Sequence, residues 1–169
     1  MTSNVVTDAG PLMVFSKLNV LHLLKQLYQR VLIPLAVYNE TVEKGMQRGF
    51  EDARILRLFL QYNQWEPIEV HNIPATIHSA TLDQGEKEAI ALALSQNVML
   101  LIDEERGREI ARQHGLTVHG SLGVFIEAYR KHVMSFEQLR FYFTEINSRP
   151  DIWISPTLCR RLLQQLESP

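Results

Sequence analysis

Two aspartates, Asp8 and Asp103, each directly follow a short apolar run, and two glutamates, Glu40 and Glu86, lie on segments of helical periodicity close to those runs in the chain. Carboxylates are hard oxygen donors, and magnesium takes a few of them together with water. Four gathered in one cleft would repel one another unless a cation neutralised them, so the set points to a divalent metal site. A metal held this way would activate water for a hydrolytic reaction. Asp8 and Asp103 are read as principal ligands, with Glu40 and Glu86 binding directly, through water, or orienting the nucleophile.

Each acid also has an ordinary role that competes with this one. An aspartate at a strand end often caps the next helix. Glu40 lies among Val37, Tyr38, Thr41 and Val42, a partly apolar helix face, yet helical glutamates are mostly solvated. Glu86 has a rival in Glu88, and either would suit the positive end of a helix. Helical spacing separates the two: Glu86 shares its face with Ile90, Ala93 and Asn97, and Glu88 is rotated by about 200° around the axis.

The elements that must position these residues follow from periodicity. Segments 4–7, 31–33, 98–102 and 116–118 are short, apolar and rich in β-branched residues, as expected of strands buried on both faces. Helices are expected over 12–28, interrupted by a cap at Asn19, over 35–44 closed by Gly45, and over 50–63, 82–96 and 104–114. Three more follow near 122–132, 136–147 and 156–166, with 68–70 and 151–154 as further short strand candidates and 72–81 as a loop. Alternating strands and helices imply an α/β fold: a three-layer α/β/α arrangement around a central, mostly parallel sheet of four or five short strands. In such sheets ligands bind at the carboxyl ends of the strands, where Asp8 and Asp103 stand.

The 169 residues suit one domain, 1–169, with a helical C-terminal extension from about 135. Hydrophobic residues at 46% and charged residues at 21% match a globular chain. The most apolar stretch, 11–37, is broken by Lys17, Lys25, Arg30 and Pro34, so no membrane helix is expected. Met1-Thr2-Ser3-Asn4 lacks the basic flank of a secretory signal, and Cys159 as the single cysteine forbids an intramolecular disulfide; both fit the cytoplasm. A net charge of −2 offers no global attraction for nucleic acid, so phosphate binding would depend on local patches or metal.

Four blocks carry a family resemblance: Asp-x-Gly-Pro-Leu at 8–12, Ile-Pro-x-x-Val-x-x-Glu at 33–40, Leu-x-x-Gly-Glu-x-Glu-Ala-Ile-x-Leu-Ala at 82–93, and Leu-Leu-Ile-Asp at 100–103. The likeness continues through Arg106-Gly107-Arg108 and Gly120-Ser121-Leu122-Gly123-Val124. Any one block is common; four in this order and spacing are specific. The chain resembles the PIN-domain family, in its VapC-like nuclease branch. That resemblance implies Asp8, Glu40, Glu86 and Asp103 as an acidic quartet around one or two Mg2+ or Mn2+ ions. It also implies RNA as substrate and an antitoxin-type protein partner. The chain departs from many members in having Leu101-Ile102 before the strand-end aspartate and glutamate, rather than aspartate, at position 86.

For substrate contacts Arg106 and Arg108 are candidates, with Arg112 on the same helix and Lys17, Lys44 and Arg48 elsewhere. The arginines after Asp103 also have Glu105 and Glu109 at pairing distance along the helix. No two histidines form a His-Glu-x-x-His zinc motif, and no Walker loop or Gly-x-Gly-x-x-Gly fingerprint appears, so nucleotide cofactors are not expected. Apolar tail residues (Leu139, Phe143, Ile146, Trp153, Leu158, Leu162) suggest core or a homodimer surface. Two rival readings remain: a catalytically inactive PIN-fold binding or scaffold protein, and a phosphatase using Asp8. A haloacid-type phosphatase wants a second aspartate at position 10, which is Gly10.

Overall fold

The structure, a computed structural model, describes residues 3–168; Met1 and Thr2, half of the N-terminal stretch read for a signal, lie outside the described residues. The described chain divides into two compact units, residues 1–121 and 122–169.

The first unit is built on four strands: Val5–Thr7 (β1), Val31–Leu32 (β2), Met99–Leu101 (β3) and Val118–His119 (β4), all parallel in the order β2-β1-β3-β4. β1 is central: Val5 lies opposite both Val31 and Met99, and Thr7 opposite Leu101. Successive strand side chains face opposite sides of a sheet. Val6, Leu32, Leu100 and Ile102 join Ala89, Ile90, Ala93, Ile110 and Ala111 in one apolar cluster. The alternate residues Val5, Thr7, Val31 and Leu101 are equally buried, so the sheet is covered on both faces. This is the expected three-layer α/β/α arrangement.

The helices of this unit are Ala9–Lys17 (α1), Leu21–Leu27 (α2), Leu35–Tyr38 (α3), Lys44–Gln47 (α4), Glu51–Tyr62 (α5), Ala75–His78 (α6), Gln84–Gln96 (α7) and Glu105–Gln113 (α8), with a π-helical turn, Asn39–Glu43, joining α3 to α4. Several expected boundaries move, each for a local reason. Asn19, at φ 57°, separates α1 from α2 in the left-handed region and Val20 takes the cap position. Gly45 does not close its helix, which runs on to Gln47 and ends before Gly49 at φ 74°. Gly45 is glycine because a Cβ there would lie 2.5 Å from the Ala53 Cβ of α5.

The segment 68–70 makes one bridge, Ile68 to Pro34, instead of a strand. Pro34 has no N–H to extend the ladder. α6 forms inside the expected loop 72–81, opened by Pro74 and anchored by the fully buried Ile77. Leu116 donates its N–H to the Ala111 carbonyl and Gly115 sits at φ 84°, so Leu116 belongs to the end of α8 and β4 starts later than expected.

The second unit comprises Ser121–Arg130 (α9, begun on the last residue of the first unit), Phe136–Ser148 (α10) and Pro156–Glu167 (α11). Phe125 stacks on Tyr142 at 5.4 Å and meets Phe143 edge-on at 6.3 Å. Ser135 and Gln138 form a capping box at the start of α10. Residues 151–154 form no strand: Arg149 grips Asp151, and the Trp153 indole donates to the Pro150 carbonyl, which folds them into a turn. Among the described residues no helix is long and apolar enough to cross a membrane.

Candidate metal centre

Asp8 ends β1 in extended conformation (φ −83°, ψ 174°), its N–H donating to the Leu101 carbonyl of the neighbouring strand at 2.8 Å. It occupies the cap position of α1 but makes no side-chain capping bond, and only 6% of it is exposed. Burial pushes its carboxyl up to about 7; the Ala9 N–H pulls the other way, and the negative charges of Glu86, Asp83 and Glu40 push further in the same direction. Asp8 is thus a buried carboxylate on which three other acids act, with the Ala9 N–H as the backbone donor that opposes them.

Glu86 lies in the first turn of α7, 7% exposed. It forms a capping box with Asp83: the Glu86 N–H donates to Asp83 Oδ1 at 2.8 Å, and Glu86 Oε2 accepts from the Asp83 N–H at 2.9 Å. Its carboxyl is nonetheless pushed up to about 6, first by burial and then, against the Asp83 N–H, by the Asp83 and Glu104 carboxylates. Glu88 points elsewhere, accepting the Ala36 N–H at 3.0 Å, and so satisfies a free donor in the first turn of α3. The two glutamates therefore divide as their helical spacing predicts.

Glu40 rides on the π-helical turn, a widened geometry that recurs at functional sites. It is exposed at the mouth of a cleft, and its carboxyl is still raised, by desolvation and then by Asp83, with Lys44 opposing. Asp103 follows β3, beside β1, but its two oxygens are occupied: the Ser121 N–H donates to Oδ1 and the Ser121 hydroxyl to Oδ2, each at 2.6 Å. Burial raises its carboxyl against those bonds and the nearby Arg108. Asp103 is not among the charges that act on Asp8.

Four glycines, Gly10 and Gly85 of the sequence blocks and Gly107 and Gly120 of their continuation, lie near these acids. A Cβ on Gly10 would stand 3.3 Å from Asp103 Oδ2; on Gly85, 3.4 Å from both Glu40 Oε2 and Asp83 Oδ1; on Gly107, 3.3 Å from Glu86 Oε1; and on Gly120, 2.9 Å from Asp103 Oδ1. At Gly10 the added atom would crowd Asp103 and at Gly120 Arg108 and Asp103, at Gly107 it would meet Ile102 Cδ1 first, at 2.5 Å, and at Gly85 it would make only ordinary contacts. Asp8, Glu40 and Glu86 thus form one electrostatic group at the carboxyl edge of the sheet, with Asp103 adjoining it through Gly10.

Two acids join this group that the sequence reading did not select. Asp83 influences Asp8, Glu40 and Glu86 alike, and Glu104 abuts Glu86 while its own Oε2 accepts the Gly107 N–H at 2.7 Å. The Asp-x-x-Glu spacing of 83 and 86 signalled the capping box; nothing in the sequence distinguished Glu104 from its neighbours Asp103 and Glu105.

Of the substrate candidates, Arg106 pairs with Glu109 at 3.1 Å and Arg112 with Glu105 at 3.7 Å, both on the solvated face. Arg108 turns inward, donating to the Ile102 carbonyl at 3.4 Å, with its guanidinium against Gly120. A cleft of about 590 Å³ opens beside the acids, with Glu40, Asp83, Lys44, Arg48 and Phe50 in its walls.

The donor chemistry fits a hard divalent cation: oxygen ligands only, one of them buried and short of neutralising partners. Among the described residues, no three Asp, Glu, His or Cys side chains yet converge tightly enough to hold one ion. The fit is of charge and ligand type, with the carboxylates held apart.

A family model described as a PIN domain matches residues 4–168. No curated protein matches the chain. An all-parallel sheet with acids at its carboxyl edge, and a family match over nearly the full length, have one meaning: the chain belongs to the PIN-domain family, whose members are generally nucleases.

Proposed function

We propose that the chain is a divalent-metal-dependent ribonuclease that hydrolyses RNA phosphodiester bonds. The observation that carries this reading is Asp8, buried among Glu86, Asp83 and Glu40, with its carboxyl pushed up to about 7 by burial and by their charge. Asp8 and Glu86 would hold the ion, with Glu40 at the cleft mouth, Asp83 in the cleft wall, Glu104 against Glu86 and Asp103 held by Ser121. Mg2+ or Mn2+ bound there supplies Lewis-acid polarisation of the scissile phosphate and makes water acidic enough to attack near neutral pH. Glu40, the most solvent-facing of the three, would orient the attacking water. The capping box fixes the backbone that carries Glu86, and the Ser121 bonds fix Asp103, so few side-chain torsions remain to be set as substrate arrives.

The resemblance to toxin nucleases extends this to a cytoplasmic toxin checked by an antitoxin-type partner. Growth arrest on expression, relieved by Asp8→Asn, would support that role. The rival reading is a scaffold that kept the fold without turnover; it is favoured by the unconverged carboxylates and by the engagement of both Asp103 oxygens with Ser121. The two readings part on metal. Purified protein is expected to cleave a labelled RNA in Mg2+ or Mn2+ and to stop when EDTA is added. Equal degradation with and without chelator, or none under any metal, refutes the proposal.

A further inference from the structure

The cleft beside the acids is lined by three carboxylates, Glu40, Asp52 and Asp83, and also by Lys44, Arg48 and Phe50. Glu40, Lys44 and Arg48 recur every four residues, so they step along one side of the same helical run at about 6 Å per step. Among the described residues Arg48 makes no ion pair, and the charge of Lys44 reaches Glu40. Phe50 is 50% exposed, a large apolar face left in water, and it is fixed in place. Its N–H donates to the Gly45 carbonyl at 3.0 Å, and Gly49 at φ 74° makes the turn that brings it back over α4. The space of about 590 Å³ is that of a ligand site, within the roughly 300–1,000 Å³ such sites occupy.

We propose that this cleft holds a nucleotide subsite for single-stranded RNA: the base of a nucleotide beside the scissile phosphate stacks on Phe50, and Lys44 and Arg48 hold the adjoining phosphate. Its place next to the scissile bond rests on the nuclease reading of the acids. An exposed aromatic ring and neighbouring cations are the two contacts that capture unpaired nucleotides. A base inside a duplex has both faces covered and cannot reach the ring, which makes the subsite selective for single strands. Glu40, Asp52 and Asp83 repel phosphate, so the strand's charge is directed onto the cations of the same cleft, Lys44 and Arg48. With a net charge of −2, the chain depends on such a local patch for affinity.

The test is fluorescence anisotropy of the full chain with a 5′-fluorescein ten-nucleotide uridine RNA in EDTA at low salt, alongside cleavage of the same RNA in Mn2+. Phe50→Ala and Phe50→Leu are expected to weaken binding about tenfold, and Phe50→Trp to preserve it. Arg48→Ala is expected to lower affinity and to reduce the slope of log affinity against log salt by about 0.7. An RNA duplex of equal length binds less tightly. Unchanged affinity in Phe50→Ala and Arg48→Ala, both with the parent's circular dichroism and melting curve, overturns the subsite, as does a parent that binds no RNA. If binding depends on these residues but Mn2+ supports no cleavage, the nuclease reading falls and the subsite stands. If cleavage proceeds and binding ignores the substitutions, the subsite alone falls.

Discussion

Asp8→Asn is expected to lower metal-dependent RNA cleavage by at least about a thousandfold, and at the same time to make the metal-free protein more stable above pH 7. The first effect follows from removing the charged ligand at the centre of the acidic group while keeping its shape; single interactions at reacting phosphates and oxyanions are worth about 100–1,000-fold, and a central ligand more. The second follows from burial. An aspartate pushed from 3.8 up to about 7 costs, when ionised, on the order of 4 kcal/mol relative to its unfolded state. Asparagine carries no such charge, so up to about 3 kcal/mol is recovered after the loss of its polar contacts.

A purely structural aspartate behaves in the opposite way. Replacing a working N-cap costs roughly 0.5–2 kcal/mol, but Asp8 makes no capping bond. Urea unfolding in EDTA at pH 8 therefore distinguishes the two roles by sign, independently of any activity assay. Lower stability in Asp8→Asn would return Asp8 to its structural role.

The metal-free protein is expected to lose stability as pH rises from about 5 to 8, and Mg2+ to restore it at the upper end. Asp8 and Glu86 both hold their protons to higher pH in the folded chain, at about 7 and about 6, than when unfolded. Below about pH 4 both states are protonated and these groups leave stability at its full value. Between there and about 7 the unfolded chain releases protons that the folded one retains, so stability falls with pH, and above about 7 the loss is complete. A drop of about 3 kcal/mol corresponds to roughly 5–10 °C in melting temperature for a chain of this size.

A cation binding only the folded state stabilises it, by about 2.7 kcal/mol at one hundred times its dissociation constant. Protons compete for the same oxygens, so Mg2+ is expected to raise the melting temperature at pH 8 and to have little effect at pH 5. Thermal melts at the two pH values, with and without Mg2+, check this. A flat pH profile, or an equal metal effect at both values, contradicts it.

Local pattern made much of the fold legible. The apolar runs that end at Asp8 and Asp103 are strands because a parallel sheet buried on both faces admits little else. The α7 pattern, opened by Asp83 and closed by Asn97 in the left-handed conformation, sits within two residues of its expected position. The misses came where a long-range contact decided. Gly45 looked like a helix stop and is instead the point where α5 presses closest. α6 has one buried anchor, Ile77, and no amphipathic repeat to announce it.

The same division holds at the candidate centre. Glu86 and Glu88 could be separated by angle alone, because both lie on one regular helix. The engagement of Asp103 by Ser121 spans 18 residues of sequence and depends on β3 and β4 lying side by side, which no local pattern reveals. Glu40 was placed on an ordinary helix; the π-helical turn that carries it has no signature in residue type. The glycines at 10, 107 and 120 were visible as motif letters, but the neighbours that crowd a Cβ there, Asp103 at Gly10, Ile102 at Gly107 and Arg108 with Asp103 at Gly120, appear only in three dimensions.

Anomalous scattering from a crystal soaked in Mn2+ near pH 8 tests the joint coordination of a cation most directly. A peak is expected about 2.1 Å from carboxylate oxygens of Asp8 and Glu86, with Glu40 drawn toward it directly or through water. A peak seated on other residues, or none beside Asp8 while the ion is bound elsewhere, would contradict the assignment.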